Sequence, residues 1–348
     1  MPPMRLPHVI VSGYSAELAA GPRGGGGYLG DKARSAAVKE EFADRVAVKH
    51  PDAPPQLDEI GKDDVDRLLH DAGADELQDA AREAAAGFAG RLVDVITRFL
   101  DYEYWRETER IAIGGGLAVT RVGSLAIALA AGRLLAHRPG LRVARIHHDP
   151  DDAGLIGAVQ LFPPERLAGH DGLLAVDIGG SKVRIGTVAL GEADLPFHAG
   201  AHVRHVAVWR HADEEPRPTR GGMVDRIAAM LDDAADRAAA QGLRLAPAVG
   251  IGVPGVVDDE GRIRRGAQNL PGDWEANDFR LGQALGERYG RRRGGVDIRV
   301  CNDAVVQGLS ELPFAQDAAR WGIFTIGTGF GNAHFENLAA DGDPGAAA

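Results

Sequence analysis

Apolar residues recur at spacings of three and four from Glu76 to Phe99, at Leu77, Ala81, Ala84, Phe88, Leu92, Val95 and Phe99, and this spacing predicts one face of a long core helix. Arg110–Ile113 then reads as a strand running into Gly114–Gly116, Val122–His137 as an apolar helix and the alternating Leu141–Ile146 as a second strand. A new series begins near Gly172. Leu173–Ile178, Val183–Leu190 and Val203–Trp209 are three strands in succession, which predicts a meander. Beyond them Met223–Ala240 reads as a helix, Ala248–Val253 as a strand, Leu281–Tyr289 as a helix, Asp297–Val300 as a strand, Ala304–Leu312 as a helix and Ile323–Ile326 as a strand. Residues 1–60 lack such periods and are expected to be irregular, with the glycines after Gly21 forming a mobile loop; residues 339–348 read as a frayed tail. No short repeat is present, and two βββαβα-like halves account for the order, so the fold class expected is α/β.

The 348 residues suffice for about two units of ordinary domain size, with room for an enzyme's cleft. With 39 Lys and Arg against 50 Asp and Glu, the net charge of −11 argues against a nonspecific nucleic-acid or anionic-membrane binder, whose affinity comes from clustered cations meeting phosphates. Cys301 is the only cysteine, which excludes an intrachain disulfide and a Cys-rich zinc site and fits a reducing cytoplasm. Val9–Val11 is too short for a secretory core, and the apolar run Leu125–Ala136 is interrupted by Arg133, so neither export nor a transmembrane segment is expected.

Several short patterns could carry chemistry. Asp177-Ile-Gly-Gly-Ser-Lys182 sits where one strand turns into the next: Gly179 and Gly180 let backbone N–H groups approach a phosphate, Ser181 and Lys182 add contacts, and Asp177 could hold the water shell of Mg²⁺. Gly327, Thr328, Gly329 and Gly331 form a second glycine-rich turn between apolar strands, and Gly114, Gly115 and Gly116 end a strand ahead of a helix, where an adenine or an anion could rest. A plain hairpin or strand-to-helix turn is the alternative in each case. Gly250-Ile-Gly-Val-Pro-Gly255 matches a dinucleotide fingerprint formally, but no helix start follows it, so that reading fails. Asn302-Asp303 ends a strand just before a helix; Asp303 could cap that helix or accept the proton of an attacking hydroxyl, with Asn302 orienting the hydroxyl. Asn269-Leu-Pro-Gly-Asp-Trp274 is a turn-rich loop that could close over a polar substrate. His147-His148 with its neighbouring aspartates, and Arg291-Arg292-Arg293, read as solvated segments rather than a metal or nucleic-acid site.

Taken jointly from Leu174 to Gly331, these motifs resemble the ROK family (repressors, uncharacterised reading frames and sugar kinases) of the actin-like ATPase fold. Asp177–Lys182 is similar to that family's first phosphate motif, Gly250–Gly255 to its Gly-x-Gly-x-Pro-Gly strand, Asn269–Trp274 to its Asn-Leu-Pro-Gly-Trp loop, Asn302-Asp303 to its catalytic pair and Ile326–Gly331 to its second phosphate motif. In the family an adenosine motif and long helices come after the second phosphate motif; here Glu109–Ala118 and Ala153–Ala158 resemble those closing segments and precede the first. The resemblance therefore implies a circular permutation joined near Leu161–His170, or else complementary halves exchanged in a swapped homodimer. What it implies is two actin-like (RNase H-like) lobes with a nucleotide cleft between them: residues 1–167, completed by about 311–338, as the nucleotide lobe, and residues 168–310 as the small lobe.

The function so implied is ATP-dependent phosphoryl transfer to a sugar hydroxyl, glucokinase-like, in the cytoplasm, without nucleic-acid or membrane partners. Asp303 would be the base. Asp177 would serve Mg²⁺ through water, Gly179–Lys182 and Gly327–Gly331 the phosphates, Gly114–Gly116 the adenosine, and Asn302, Asp303, Asn269 and Gly255 the sugar. The family's zinc cluster cannot be built with one cysteine, and no Glu-x-Gly-His of the kind that helps hold the sugar is seen. That departure leaves a second reading, a non-catalytic sugar- or nucleotide-sensing protein; the first 60 residues lack a helix-turn-helix pattern.

Overall fold

The computed structural model describes residues 3–20, 27–49, 62–69, 76–192 and 195–338. The predicted tail, 339–348, and most of the glycine run after Gly21 lie outside the described residues. The fold is mixed α/β, in two compact units: unit 1 comprises Met1–Ser15, Asp151–Ala319 and Phe335–Ala348, and unit 2 comprises Ala16–Pro150 and Arg320–His334.

The chain starts in unit 1 with an antiparallel pair, β1 (Met4–Arg5) and β2 (Val9–Tyr14). Unit 2 follows with α1 (Ser35–Lys49), α2 (Lys62–Leu68), α3 (Glu76–Leu100), β3 (Arg110–Gly114), α4 (Arg121–His137) and β4 (Arg142–Arg145). The first 60 residues are thus not irregular throughout. β2 is nearly all buried, and α1 turns Ala37, Val38, Phe42 and Val46 inward, a stripe whose alternation with Lys and Glu is too uneven to show a clear period. The periodic residues of α3 are buried as their spacing requires, from Ala81 to Phe99. α4 begins where the Thr120 hydroxyl accepts from Gly123 N at 3.0 Å, satisfying one of the orphan donors of its first turn.

Unit 1 resumes with α5 (Pro150–Ile156), a 3-10 turn at Gly157–Leu161 and α6 (Pro164–Leu167). It continues through β5 (Gly172–Ile178), β6 (Val183–Ala189), β7 (His202–Trp209), α7 (Arg220–Ala240), β8 (Leu245–Val253), β9 (Val256–Val257), β10 (Ile263–Arg265), α8 (Leu281–Arg288), β11 (Asp297–Asn302) and α9 (Asp303–Leu309). The chain then forms β12 (Arg320–Ile326) and β13 (Phe330–Asn337), which begins in unit 2 and ends in unit 1.

In unit 1 a five-stranded sheet has the order β11-β8-β5-β6-β7. The expected meander is there: β5, β6 and β7 pair antiparallel, whereas β8 is parallel to β5 and β11 to β8. Parallel strands need crossovers, which α7 and α8 supply, and both bury their apolar face in a core with Val176, Ile185, Ile251 and Trp274. Residues 151–167 cluster here, whereas the sequence reading set them with the first 150. Gly157 allows the reason: α9 lies so close that a Cβ there would come within 1.7 Å of Val306 O.

In unit 2, β12, β3 and β4 run parallel, with the start of β13 beside β12. Their core joins α1, α3 and α4 around Phe88, Phe99, Trp105 and Phe324. Trp105 stacks on Phe324, centroids 4.7 Å apart, because Gly322 leaves the space its indole fills. No helix among the described residues is long and apolar enough to cross a membrane.

Candidate active site

Two carboxylates lie at the same end of the parallel strands that flank β8 in unit 1. Asp177 lies near the end of β5 opposite Gly252 of β8, and Asn302, at the end of β11, lies opposite Val253 of the same strand. Asp303 follows as the first residue of α9. Gly252 carries no side chain, and a Cβ there would sit 3.5 Å from Asp303 Cα. The parallel order β5-β8-β11 therefore brings both acidic residues to one sheet end.

Asn302 is fully engaged. Its Oδ1 caps α9, accepting from Ala304 N at 3.0 Å and Val305 N at 3.2 Å, and its Nδ2 donates to Gly255 O at 2.8 Å and to Asp303 Oδ1 at 3.0 Å. Asp303 Oδ1 also accepts from Ala304 N at 2.8 Å. The bland capping role thus falls on Asn302, which leaves the other oxygen of Asp303 without a share in it. Burial pushes the Asp303 carboxyl up to about 7, with the charge of Asp177 as the next cause, against the hydrogen bonds that favour the anion. Burial raises Asp177 as well, opposed chiefly by Arg184.

The turn after β5 closes through Gly179 N donating to Lys182 O at 2.9 Å. His211 Nε2 donates to Gly179 O at 3.0 Å, and Ala212 N to Ser181 O at 3.2 Å, so the turn is held from the segment after β7. Gly180 brings Asn269 in: a Cβ on Gly180 would lie 3.0 Å from Asn269 Cβ. The loop from Asn269 to Trp274 is anchored by its buried Trp274, whose Nε1 donates to Pro271 O at 2.9 Å. Gly255 has φ +93°, which glycine tolerates, and packs against Arg265 O.

Sequence reasoning passed over Arg184 and the role of Asp151. Arg184 stands directly opposite Asp177 in the β5–β6 hairpin, and its Nη1 reaches Asp177 Oδ2 at 2.6 Å. Its Nη2 pairs with Asp151, at the start of α5, and Lys182 Nζ lies 3.4 Å from the same carboxylate. The signal was available: with a turn of four residues at 179–182, antiparallel register pairs 177 with 184. Asp151 is the exposed member, its side chain 62% accessible, against 12% for Arg184.

Unit 2 assembles the other glycine-rich turns. Gly115, at φ +80°, lies against the Ile326 backbone, where a Cβ would meet Ile326 N at 2.4 Å, and Leu117 N donates to Ile326 O at 3.1 Å. This brings Gly114–Gly116 beside the turn of Gly327, Thr328, Gly329 and Gly331. Gly116, Gly327 and Gly329 face open space, and Ser35 N donates to Gly327 O at 3.0 Å. Of the segments judged solvated, His147-His148 forms no metal cluster among the described residues. Arg292 and Arg293 are not simply solvated: both pair with Asp232 of α7, and Arg293 also with Asp236 at 2.7 Å.

The ROK family model matches residues 173–348, half of the chain, and the chain belongs to the ROK family. No curated protein matches it in sequence. Among solved structures, a ROK hexokinase from Thermus thermophilus is 26% identical at a TM-score of 0.34, the match covering 49% of each chain. A ROK glucokinase from Streptomyces griseus, solved with glucose and AMPPNP, is 26% identical at a TM-score of 0.34, covering 49% of this chain and 46% of that one. A ROK transcriptional regulator, a homologue of the Escherichia coli MLC protein, is 17% identical at a TM-score of 0.35, covering 50% and 42%. The chain spans about half the length of these structures.

Proposed function

We propose that the chain is an ATP-dependent kinase that phosphorylates a hydroxyl of a sugar of hexose or N-acetylhexosamine type. The observation that carries this reading is the Asp303 carboxylate, set at a strand end beside Asp177 and raised to about 7, the range in which a general base takes a hydroxyl proton readily near neutrality. Asp303 accepts the proton of the attacking hydroxyl. Asn302 holds Asp303 and the Gly255 loop rather than the hydroxyl, and Asn269 and Gly255 line the acceptor side. Gly179–Lys182 with Arg184 hold phosphate oxygens; in unit 2 Gly327–Gly331 hold phosphates and Gly114–Gly116 the adenosine.

The residues fit Mg²⁺ carried with ATP, since the charge of Asp177 adds to burial in raising the proton affinity of Asp303, a field a divalent cation relieves, and Mg²⁺ commonly keeps its waters. Asp177 would hold it through water, and the ion would offset charge on the transferred phosphoryl group. Circular permutation explains the chain order: residues 320–334 complete a unit otherwise built from residues 16–150, with β12 parallel to β3. Unit 2 is then the nucleotide lobe and unit 1 the small lobe with the base.

Incubation with MgATP and a panel of hexoses, N-acetylhexosamines and polyols should give acceptor-dependent ADP release that disappears in Asp303→Asn. If MgATP binds and no acceptor stimulates turnover, the protein is a non-catalytic sensor instead. A second expectation concerns Asp151, which sits on both cations of the phosphate turn. As an exposed partner it contributes at most about 1 kcal/mol. Asp151→Asn should therefore lower the KM for MgATP about two- to fivefold at low salt, with the difference shrinking at high salt. An unchanged KM at low salt would show that the pair does not compete with phosphate.

A further inference from the structure

The turn that follows β8 is held at two points by side chains distant in sequence. Asn302 Nδ2 donates to Gly255 O at 2.8 Å, from the residue adjoining Asp303. At the far end, the Tyr14 hydroxyl donates to Val257 O at 2.7 Å and accepts from Val257 N at 3.1 Å. One hydroxyl so satisfies both backbone polar groups of a buried strand residue, across 243 positions of sequence. Tyr14 is itself 7% exposed at the end of β2, and burial pushes its hydroxyl up to about 12, so it keeps its proton throughout the working pH range.

Beyond Val257 the chain has its own support, since Asp258 N donates to Arg262 O at 2.9 Å and the Asp258 carboxylate accepts from Arg262 N and pairs with Arg262 and Arg264, whereas Gly255 and Val257 themselves are reached by Asn302 and Tyr14. β9 is two residues long, and its partner β10 shifts register between Ile263 and Arg265. Gly255 lies at φ +93° against Arg265 O, a conformation glycine adopts without strain. Asn302 at one end and Tyr14 at the other thus tie the Pro254–Val256 backbone to the residue adjoining Asp303 and to β2.

We propose that Tyr14 is a positioning residue for the phosphoryl acceptor, its hydroxyl clamping Val257 so that the Pro254–Val256 backbone meets the substrate in register with Asp303. The proposal rests on the kinase reading. The hydrogen bonds of the Tyr14 hydroxyl go to Val257 on the acceptor side, so its loss is expected to act there. A mere structural prop would change acceptor and nucleotide affinities together.

The test compares the full-length wild type with Tyr14→Phe, which keeps the ring and removes the hydroxyl. The acceptor KM should rise at least about tenfold, as loss of one well-placed polar contact does, while the KM for MgATP stays within about twofold. Amide hydrogen exchange at Val257 should accelerate in the variant without a general rise across β5 and β11. Equal acceptor KM values overturn the role of Tyr14 with the kinase reading intact. A joint rise of both KM values, or a variant that no longer binds MgATP, assigns the hydroxyl to the fold and overturns it also. A wild type without acceptor-dependent turnover overturns the kinase reading and the acceptor role together, and is told apart from the other failures by the wild-type assay alone.

Discussion

Asp303→Asn is expected to lose about three orders of magnitude in acceptor-dependent ADP release, within the span that removal of a general base commonly costs, and at pH 8 to melt higher than the wild type. Both effects have one origin. The carboxyl has its unfolded value near 3.8 and a folded value of about 7, raised by burial first and by Asp177 next. The folded chain therefore binds this proton more tightly than the unfolded one. The stabilisation is complete below the unfolded value, declines as pH rises, and is gone above the folded value, where the native state holds a buried charge at a cost. Asn carries no charge and avoids that cost. In the wild type the same group makes kcat/KM climb about tenfold per pH unit toward pH 7 and level off above it. Thermal melts at pH 5 and pH 8 with a pH–rate profile measure all three. A variant no more stable than the wild type at pH 8, or a rate already flat at pH 5, would show that Asp303 is not the buried, elevated base described.

Gly157→Ala is expected to destabilise the protein by about 3 kcal/mol, the upper range for forcing extra volume into a close-packed site, and to lower Tm by roughly 6–12 °C. The added Cβ would lie 1.7 Å from Val306 O, and the obstacle is backbone, not a side chain that can swing away. To admit it, α9 must move off the 3-10 turn, carrying Asp303 at its first residue, so activity should fall with stability. Gly132, inside α4, has nothing within 4 Å of a Cβ. Gly132→Ala should be neutral or gain up to about 1 kcal/mol from helix propensity. Scanning calorimetry on the pair decides it: similar melting points for the two variants would mean that α9 and the Gly157 turn are not in backbone contact.

The legible part of this protein is the part in which local period and local chemistry coincide. Leu77 through Phe99 mark α3 because a buried face on a long helix repeats every three to four residues, and the helix found is Glu76–Leu100. Leu173–Trp209 shows a meander because three apolar runs are separated by glycine and polar turns, and the strands found follow that order. The position of Asp303 was readable from a strand that ends and a helix that begins at the same place. Residues 9–14 and 35–49 were not readable, since β2 is buried on both faces and too short to distinguish, and α1 interleaves alanines with charges.

Four features were decided by tertiary structure alone. Asp151 reaches Lys182 and Arg184 only because α5 folds back on the β5–β6 hairpin, a move that depends on Gly154 and Gly157 having no side chains. Asn302 was expected to orient a hydroxyl, and its polar atoms instead cap α9 and tie down Gly255. Gly115 meets Ile326, bringing together two glycine turns more than 200 residues apart. Tyr14 meets Val257 across a comparable span. The amino-acid sequence by itself determines the elements, the family motifs and the kinds of group available, because hydrophobic period and turn chemistry act over a few residues. Which groups end up in contact depends on close backbone packing and on the pairing of single polar atoms at long range, and these leave no periodic trace along the chain.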